Sequence, residues 1–549
     1  MNITHNNRLS WIIVVLLCYI TFFANNGALT PDIMESRNIV TAREMVSDGN
    51  WLVPTMNGEL RLEKPPLPTW VAGAIEYVCP DNLPLQRTAA GIMGCLWVLF
   101  VYLYAREVSR RKEYALLVTA VFITMYQVIL MGRTATWDIY CHAFMMGAIY
   151  FLSRGLYEER FYEERHTWKW FCSAGIMMGL SFLSKGPVSF YALLLPYLIA
   201  MITLYRPSMK GKWAPLVVMI VICLVISSWW YIYLLIFHSD SVRHVMGKES
   251  SSWINHNVRP WYYYWRFFTE TGAWTIFMLA ALVVPYWKKR STMKRQYVFT
   301  ITWTLAALVL LSLMPEKKMR YLLPMMPPCA LTIGTLLLYY VDKRPRNIME
   351  KTLFYTNGIV IGIIAIAIPA VVFFMKINES MDAWQFIASC IILPLLGIYT
   401  IVNSVRIKVR KFVYSVLAIF AVAETILLGN IGEALGNPER RALNEISLNK
   451  ELYGIPFYHP NDEELRIELV YDARRKILPI DIHDAESVRK AVPCVIVSQR
   501  PLKEILPKEL TSKIDTTGYG VFDNNLRSKN GKHYSEILVN HVTMIKNIK

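Results

Sequence analysis

The chain has 549 residues, of which 54% are hydrophobic and only 18% charged, a balance outside that of ordinary soluble domains. Its formal net charge of +17 invites a nucleic-acid reading, but six connections (106–112, 154–169, 206–212, 288–295, 341–351 and 404–411) hold 24 Lys/Arg against seven acids, which is the whole excess. They are every second connection between apolar stretches, the pattern of cytoplasmic loops, so the charge reports membrane topology and not a nucleic-acid surface.

Thirteen apolar spans are predicted, at 10–26, 87–105, 113–131, 139–153, 170–184, 187–205, 214–237, 272–287, 297–314, 321–340, 353–375, 384–403 and 412–430. The first follows Arg8, lacks a small-residue cleavage site and reads as an uncleaved anchor. The charge pattern places the N-terminus in the cytoplasm and turns 27–86, 132–138, 185–186, 238–271, 315–320, 376–383 and the C-terminal segment outward. Two domains are expected: a membrane domain over 1–430 and a soluble domain over 431–549. No internal repeat is evident, which argues against a transporter or lipid-carrier flippase built from paired halves.

The first outer loop, 27–86, concentrates paired charges in Asp32-Ile33-Met34-Glu35-Ser36-Arg37 and Arg61-Leu62-Glu63-Lys64-Pro65-Pro66. A helix is predicted from Glu35 to Ser47, with Ile39, Val40 and Val46 forming a greasy side along the membrane interface and Gly49 ending it. Asp32 and Glu35 are three residues apart and share a helical face. Either carboxylate suits a general base, although Asp32 suits an N-cap better. Asp138 opens the fourth span, where a carboxylate needs a partner or a role; Arg133 is one candidate partner.

Cations are sparse on an outer face, yet Arg37, Lys64, Lys185, Lys317, Lys318 and Arg320 all lie there, as phosphate recognition requires. In the 238–271 loop, Trp261-Tyr262-Tyr263-Tyr264-Trp265 reads as an interfacial aromatic belt or a platform for a sugar ring. His238, His244 and His256 share that loop, and with Glu63 one or two of them would make a zinc site. The nine cysteines show no CxxC; Cys79 and Cys494 are the pair that faces outward. Beyond residue 431, strands at 494–497 and 536–539 and helices near 484–490 and 501–505 predict a small α/β domain without a Gly-rich phosphate loop.

Several of these motifs together resemble the lipid A aminoarabinose transferase family, within the larger group that includes protein O-mannosyltransferases. They are Glu35-Ser36-Arg37, Arg43-Glu44-Met45, Trp51-Leu52-Val53-Pro54 and Glu63-Lys64-Pro65, followed by Asp138, Lys185-Gly186 and Lys317 through Tyr321. The resemblance implies a polytopic α-helical membrane protein of the GT-C fold. It would have about thirteen transmembrane helices, outer-face juxtamembrane helices and an outward C-terminal α/β domain, in a bacterial inner membrane. It further implies transfer of a sugar, with inversion, from a polyprenyl-phosphate carrier to lipid A or another surface glycolipid; the alternative acceptor is a protein. Arg37, Lys64, Lys185, Lys318, Arg320 and Tyr321 would hold the donor phosphate, joined by Arg243 or Arg259. The family's metal-linked histidine matches His238 best, so a divalent ion would sit with His238 and Glu63; no other cofactor is implied. Met34 stands where the family has its first-loop catalytic Asp, and methionine takes no proton. Glu35, Asp32 or Asp138 would then carry that role. These outward acids and bases are expected to meet in one pocket.

Overall fold

Inside a bilayer every backbone N–H and C=O must be satisfied within its own segment, and helices do this. The structure, a computed structural model, describes residues 7–161, 166–343, 345, 347–434, 436–511, 513–529, 531 and 534–548. Glu163, Glu164 and Arg165 of the second basic connection, and Arg344 and Arg346 of the fifth, lie outside the described residues. The chain forms two units: a helical one of Met1–Gly27, Leu62–Pro68 and Arg87–Asn430, and a second of Ala28–Arg61, Thr69–Gln86 and Ile431–Lys549.

Each predicted span coincides with a helix, but they are not equivalent. Among the described residues, seven helices are long and apolar enough to cross a membrane: Leu83–Ser109, Trp213–Phe237, Lys294–Leu313, Met319–Asp342, Ile348–Phe374, Ala383–Val405 and Val409–Gly432. Two broken pairs raise the number to nine: Lys112–Ile123 with Tyr126–Gly132, bent by 66°, and Trp261–Ala281 with Val284–Arg290, bent by 88°. By length and composition alone, seven to nine of the predicted spans meet this test among the described residues. The first and sixth predicted spans are the shorter helices Asn7–Phe22 and, within 190–204, a π turn followed by Leu195–Leu204. The fourth and fifth, Trp137–Phe161 and Thr167–Lys185, carry charge, including Asp138 and Lys185.

Close packing in this unit depends on small residues. Gly175 and Gly179, one turn apart, let Trp213–Phe237 lie directly on Thr167–Lys185; a Cβ added at Gly175 would sit 2.5 Å from the Met219 carbonyl oxygen.

In the second unit a five-stranded sheet runs in the order Ile477–Ile480, Phe457–Pro460, Cys494–Ser498, Val539–Ile548, Ile514–Asp523. The first three strands are parallel and the last two join antiparallel. Successive residues of a strand face opposite sides. Accordingly Val495 and Val497 enter one core, with Phe457 and Val542, while Cys494 and Ile496 enter another, with Val488 and Ile545. Covered on both faces, Cys494–Ser498 is buried at every position, hence its unbroken apolar run. The strand expected at 536–539 begins only at Val539, after a 3-10 turn over Glu536–Leu538.

The helix predicted in the first outer loop exists, as Ile33–Asp48, with Gly49 in the left-handed conformation at its end. It does not present a lipid-facing side. Nine of its residues are buried, and Val40 lies in the core formed with Leu443, Phe457 and Val495. Most of the loop that the sequence grouped with the spans therefore belongs to the same unit as the C-terminal segment.

Candidate active site

In the second unit, the first turn of Ile33–Asp48 is built by its cap. The Asp32 carboxylate accepts the N–H groups of Met34 (2.9 Å) and Glu35 (2.8 Å), leaving it in the role of an N-cap. Glu35, 1% exposed, follows in that turn. Arg37 is half-buried, and its Nε finds no acceptor among the described residues. The Arg37 carbonyl accepts from Thr41 Oγ1 (2.8 Å) and from the guanidinium of Arg61, which also donates to Thr41 Oγ1 at 2.6 Å. Arg61, itself buried, thereby fixes the turn that carries Arg37.

The rest of the first-loop motif is scaffold. Arg43 donates to Asp81 Oδ1 (2.6 Å) and to the Tyr471 carbonyl (3.3 Å). Glu44 accepts from Thr55 Oγ1 (2.7 Å) and from the backbone of Asn57 (2.5 Å) and Gly58 (3.1 Å). The Trp51 carbonyl accepts from Trp70 Nε1 at 2.7 Å.

In the helical unit the centre is an ion pair between Asp138 and Lys185, both nearly buried. Asp138 lies in the first turn of Trp137–Phe161 and Lys185 in the last turn of Thr167–Lys185, ended by Gly186 at φ 73°. Each charge therefore sits at the helix end whose dipole favours it, which helps offset the cost of burial. Asp138 does not pair with Arg133: that guanidinium is held by Glu424 (2.7 Å) and the carbonyls of Ile20 (2.6 Å) and Ala24 (2.5 Å).

Around the pair, Lys185 Nζ stands 5.6 Å from the centre of the Tyr321 ring and Lys318 Nζ 5.8 Å from it. Arg320 lies within electrostatic range of both Asp138 and Tyr321. Glu316 binds Lys318 Nζ at 2.5 Å, accepts from Tyr321 OH at 3.3 Å and stands 3.7 Å from His256 Nδ1. Two loops are laced together here. Val258 and Glu316 form an isolated bridge, Arg259 N–H donates to the Pro315 carbonyl (3.3 Å), and Lys317 N–H to the Asn257 carbonyl (3.2 Å). Tyr264 OH clasps the backbone of Lys318, donating to its carbonyl (3.1 Å) and accepting its N–H (2.9 Å).

The structure thus brings Asp138, Lys185, Lys318, Arg320 and Tyr321 together. Lys317 is structural: it is buried, its ammonium donates to the Met314 carbonyl, and burial lowers its pKa. Arg243 and Arg259 are exposed. Glu63 and Lys64 are half-buried in the Leu62–Pro68 segment of this unit, whereas Asp32, Glu35 and Arg37 belong to the other unit. Trp261, Tyr262 and Trp265 are exposed and pair edge-to-face instead of forming a flat platform, while Tyr264 is fully buried.

Among the described residues no three His, Cys, Asp or Glu side chains converge as a metal cage, so Glu63 and His238 do not make the expected zinc site. Cys79 and Cys494 are both free thiols. Sequence reading missed Glu316 and His142, and it gave Arg61 and Tyr264 no bracing role. Glu316 adjoins the residues singled out and went uncounted, since a search for phosphate ligands passes over an acid. His142, one turn beyond Asp138, is buried against Trp97 and nothing in the sequence marks it.

Comparison with known proteins agrees with this architecture. Residues 63–232 match the family model described as dolichyl-phosphate-mannose-protein mannosyltransferase. The undecaprenyl phosphate-alpha-4-amino-4-deoxy-L-arabinose arabinosyl transferase 1 of Pseudomonas fluorescens is 22% identical over 67% of this chain and 63% of its own length. Its counterpart 2 from Proteus mirabilis is 25% identical over 60% of each chain. The match thus spans somewhat less than two thirds of these relatives. In structure, ArnT from Cupriavidus metallidurans bound to undecaprenyl phosphate superposes over 99% of this chain and 98% of its own, with a TM-score of 0.70 at 16% identity, a likeness of fold. The chain has the fold of a multi-pass GT-C membrane protein and is similar in sequence to the undecaprenyl phosphate-alpha-4-amino-4-deoxy-L-arabinose arabinosyl transferases.

Proposed function

We propose that this protein transfers one sugar from a polyprenyl-phosphate carrier to lipid A or a similar surface glycolipid, at the periplasmic face of a bacterial inner membrane. The observation that carries the reading is the buried Asp138–Lys185 pair with Tyr321, Lys318 and Arg320 gathered about it. A phosphate diester linking sugar to lipid becomes a monoester dianion when the sugar leaves. Preorganised cations around that phosphate stabilise the charge as it builds. Arg320, Lys318 and Lys185 serve here, with Tyr321 OH as a further donor; Lys64, of the same unit, is assigned to the same phosphate. Asp138 keeps Lys185 oriented.

The reaction is a single displacement. An acceptor oxygen attacks the anomeric carbon, the bond from that carbon to the carrier phosphate oxygen breaks, its electron pair leaves with the phosphate, and the anomeric centre inverts. A phosphate-monoester acceptor is already ionised near neutrality and needs no base, which fits a chain with Met34 at the family's aspartate position. A hydroxyl acceptor needs one, and Glu35 is the carboxylate assigned. The lipid-borne donor accounts for the lack of a nucleotide-binding loop. No step passes through a metal ion.

The test uses purified full-length protein, undecaprenyl phosphate carrying a radiolabelled sugar, and lipid A. Label is expected in the lipid fraction, with the R320Q variant about a hundredfold slower, within the range for loss of one transition-state donor. Label entering protein instead selects the O-glycosyltransferase reading that the family-model description favours. No transfer to either acceptor overturns both.

A further inference from the structure

We infer that the second unit carries a recess that binds a phosphorylated sugar, separate from the Asp138 cluster and independent of the transfer reaction. The recess, of about 560 Å³, lies between the turn at 447–453 and the corner formed by Arg474 and Arg475, with Asp81 also lining it. That volume is in the range of small-molecule pockets. All of these residues belong to the second unit. Local hydrogen bonds build the walls. The Asn449 side chain accepts the N–H of Glu451 (3.0 Å) and starts the 3-10 turn Lys450–Leu452. The Arg475 guanidinium ties that turn down, donating to the carbonyls of Ser447 (3.1 Å) and Leu452 (2.7 Å). Arg474 ends the helix Ile467–Ala473 in the left-handed conformation, at φ 55° and ψ 22°. Glycine or asparagine takes that conformation at less cost, so what an arginine adds there is its charge.

The charge of this recess is not balanced from within. Carbonyl acceptors leave the Arg475 charge intact, and Lys450 has no carboxylate partner among the described residues. Asp81 stands 3.7 Å from Arg474 but is bound by Arg43 at 2.6 Å, and Arg43 also has Glu76 at 3.8 Å. Arg43, Lys450, Arg474 and Arg475 thus have two carboxylates among the four of them. Other acids close by in sequence are engaged elsewhere: Glu445 by Arg441 (3.0 Å), Glu451 by Tyr519 OH (3.4 Å) and Asp472 by Arg440 (3.1 Å). A phosphate monoester dianion supplies the missing charge, and Arg and Lys are the side chains suited to hold it. Tyr453, 89% exposed, lines the same recess together with Ser447 and Asn449. An aromatic ring beside hydrogen-bonding groups suits a sugar carrying that phosphate, whereas inorganic phosphate leaves the ring in water.

Equilibrium dialysis of the full-length protein in detergent at low salt, against radiolabelled glucose 1-phosphate, tests this. One glucose 1-phosphate per chain is expected to bind, more tightly than inorganic phosphate, while glucose itself does not. K450Q/R474N is expected to weaken it about tenfold, as loss of two charged donors requires, with the left-handed corner kept by asparagine and Arg475 left to hold its turn. Y453A is expected to bring glucose 1-phosphate down to the level of inorganic phosphate with thermal unfolding unchanged. R320Q, altered in the Asp138 cluster, is expected to bind as the unaltered protein does, so that loss of sugar transfer and loss of this site are read separately. Displacement by lipid A in the same micelles assigns the recess to a glycolipid headgroup, and binding without displacement assigns it to a soluble sugar phosphate. Absence of binding overturns the inference, as does undiminished affinity in K450Q/R474N or in Y453A. Binding that R320Q abolishes overturns it too, since the phosphate then belongs to the Asp138 cluster.

Discussion

Each candidate residue has a contact that limits what it can do. Asp138 and Lys185 neutralise each other inside the protein, so removing either leaves a bare charge, at a cost of about 3–5 kcal/mol. Loss of activity in K185M alone therefore says little about chemistry. The double variant D138N/K185M separates the two effects: it is expected to unfold at nearly the temperature of the unaltered protein and still transfer no sugar, as read by thermal unfolding and label transfer. If it regains transfer with stability, the pair is only a strut. Glu35 calls for a different comparison. Glu35→Gln is expected to stop turnover onto a hydroxyl acceptor while donor binding, measured by retention of labelled carrier, stays intact. Unchanged turnover moves the base role to Asp138.

Titration acts through the helices that frame the first loop. Glu76, on the helix Leu67–Val78, is 3% exposed and accepts from Asp81 N–H (3.0 Å) and Gln86 Nε2 (3.2 Å). Burial raises its carboxyl pKa above the ordinary value, against the opposing pull of the Asp81 N–H and Arg43. A carboxyl that ionises less readily folded than unfolded works against the fold once charged. That penalty is full above the raised folded pKa, fades as pH falls through it, and is gone below the unfolded value. Glu76→Gln is thus expected to melt above the unaltered protein at pH 7, with the gap closing on acidification; Arg43 still has Asp81 at 2.6 Å. A variant that melts lower at neutral pH would show that the attraction of Arg43 outweighs burial. The helices themselves were legible from hydropathy, because runs such as Trp213–Phe237 leave no alternative in lipid. The bends at Ile123 and Ala281, and the short first and sixth helices, were not: mean hydropathy over a window does not register a 66° or 88° turn.

At the scale of the molecule, what the sequence concealed is the partner of the first loop. Ile39, Val40 and Val46 were legible as a greasy stripe, but a stripe does not say whether lipid or protein covers it. The answer lies some four hundred residues away. Val40 packs with Leu443, Phe457, Val495 and Val542, and Asn57 mimics a strand neighbour, donating to the Ile477 carbonyl (2.7 Å) and accepting its N–H (2.8 Å). Asp48 meets Lys476 at 2.5 Å, with Lys476 and burial opposing each other over its carboxylate. The motif that looks catalytic on the page, from Arg43 to Gly58, is in large part what holds this unit together across so long a separation. Its integrity can be tested at Val40. Replacing it by Ala removes two buried methyl groups and is expected to cost roughly 2 kcal/mol. Val40→Asp instead buries an unpaired carboxylate, which a core of Leu, Phe and Val cannot solvate. Limited proteolysis of the full-length protein in detergent is expected to cut V40D within 431–549 at sites protected in the unaltered chain, while the helices of the other unit stay resistant. Were V40D to keep the unaltered cleavage pattern, the first loop would be an attachment to the C-terminal segment and not part of its core.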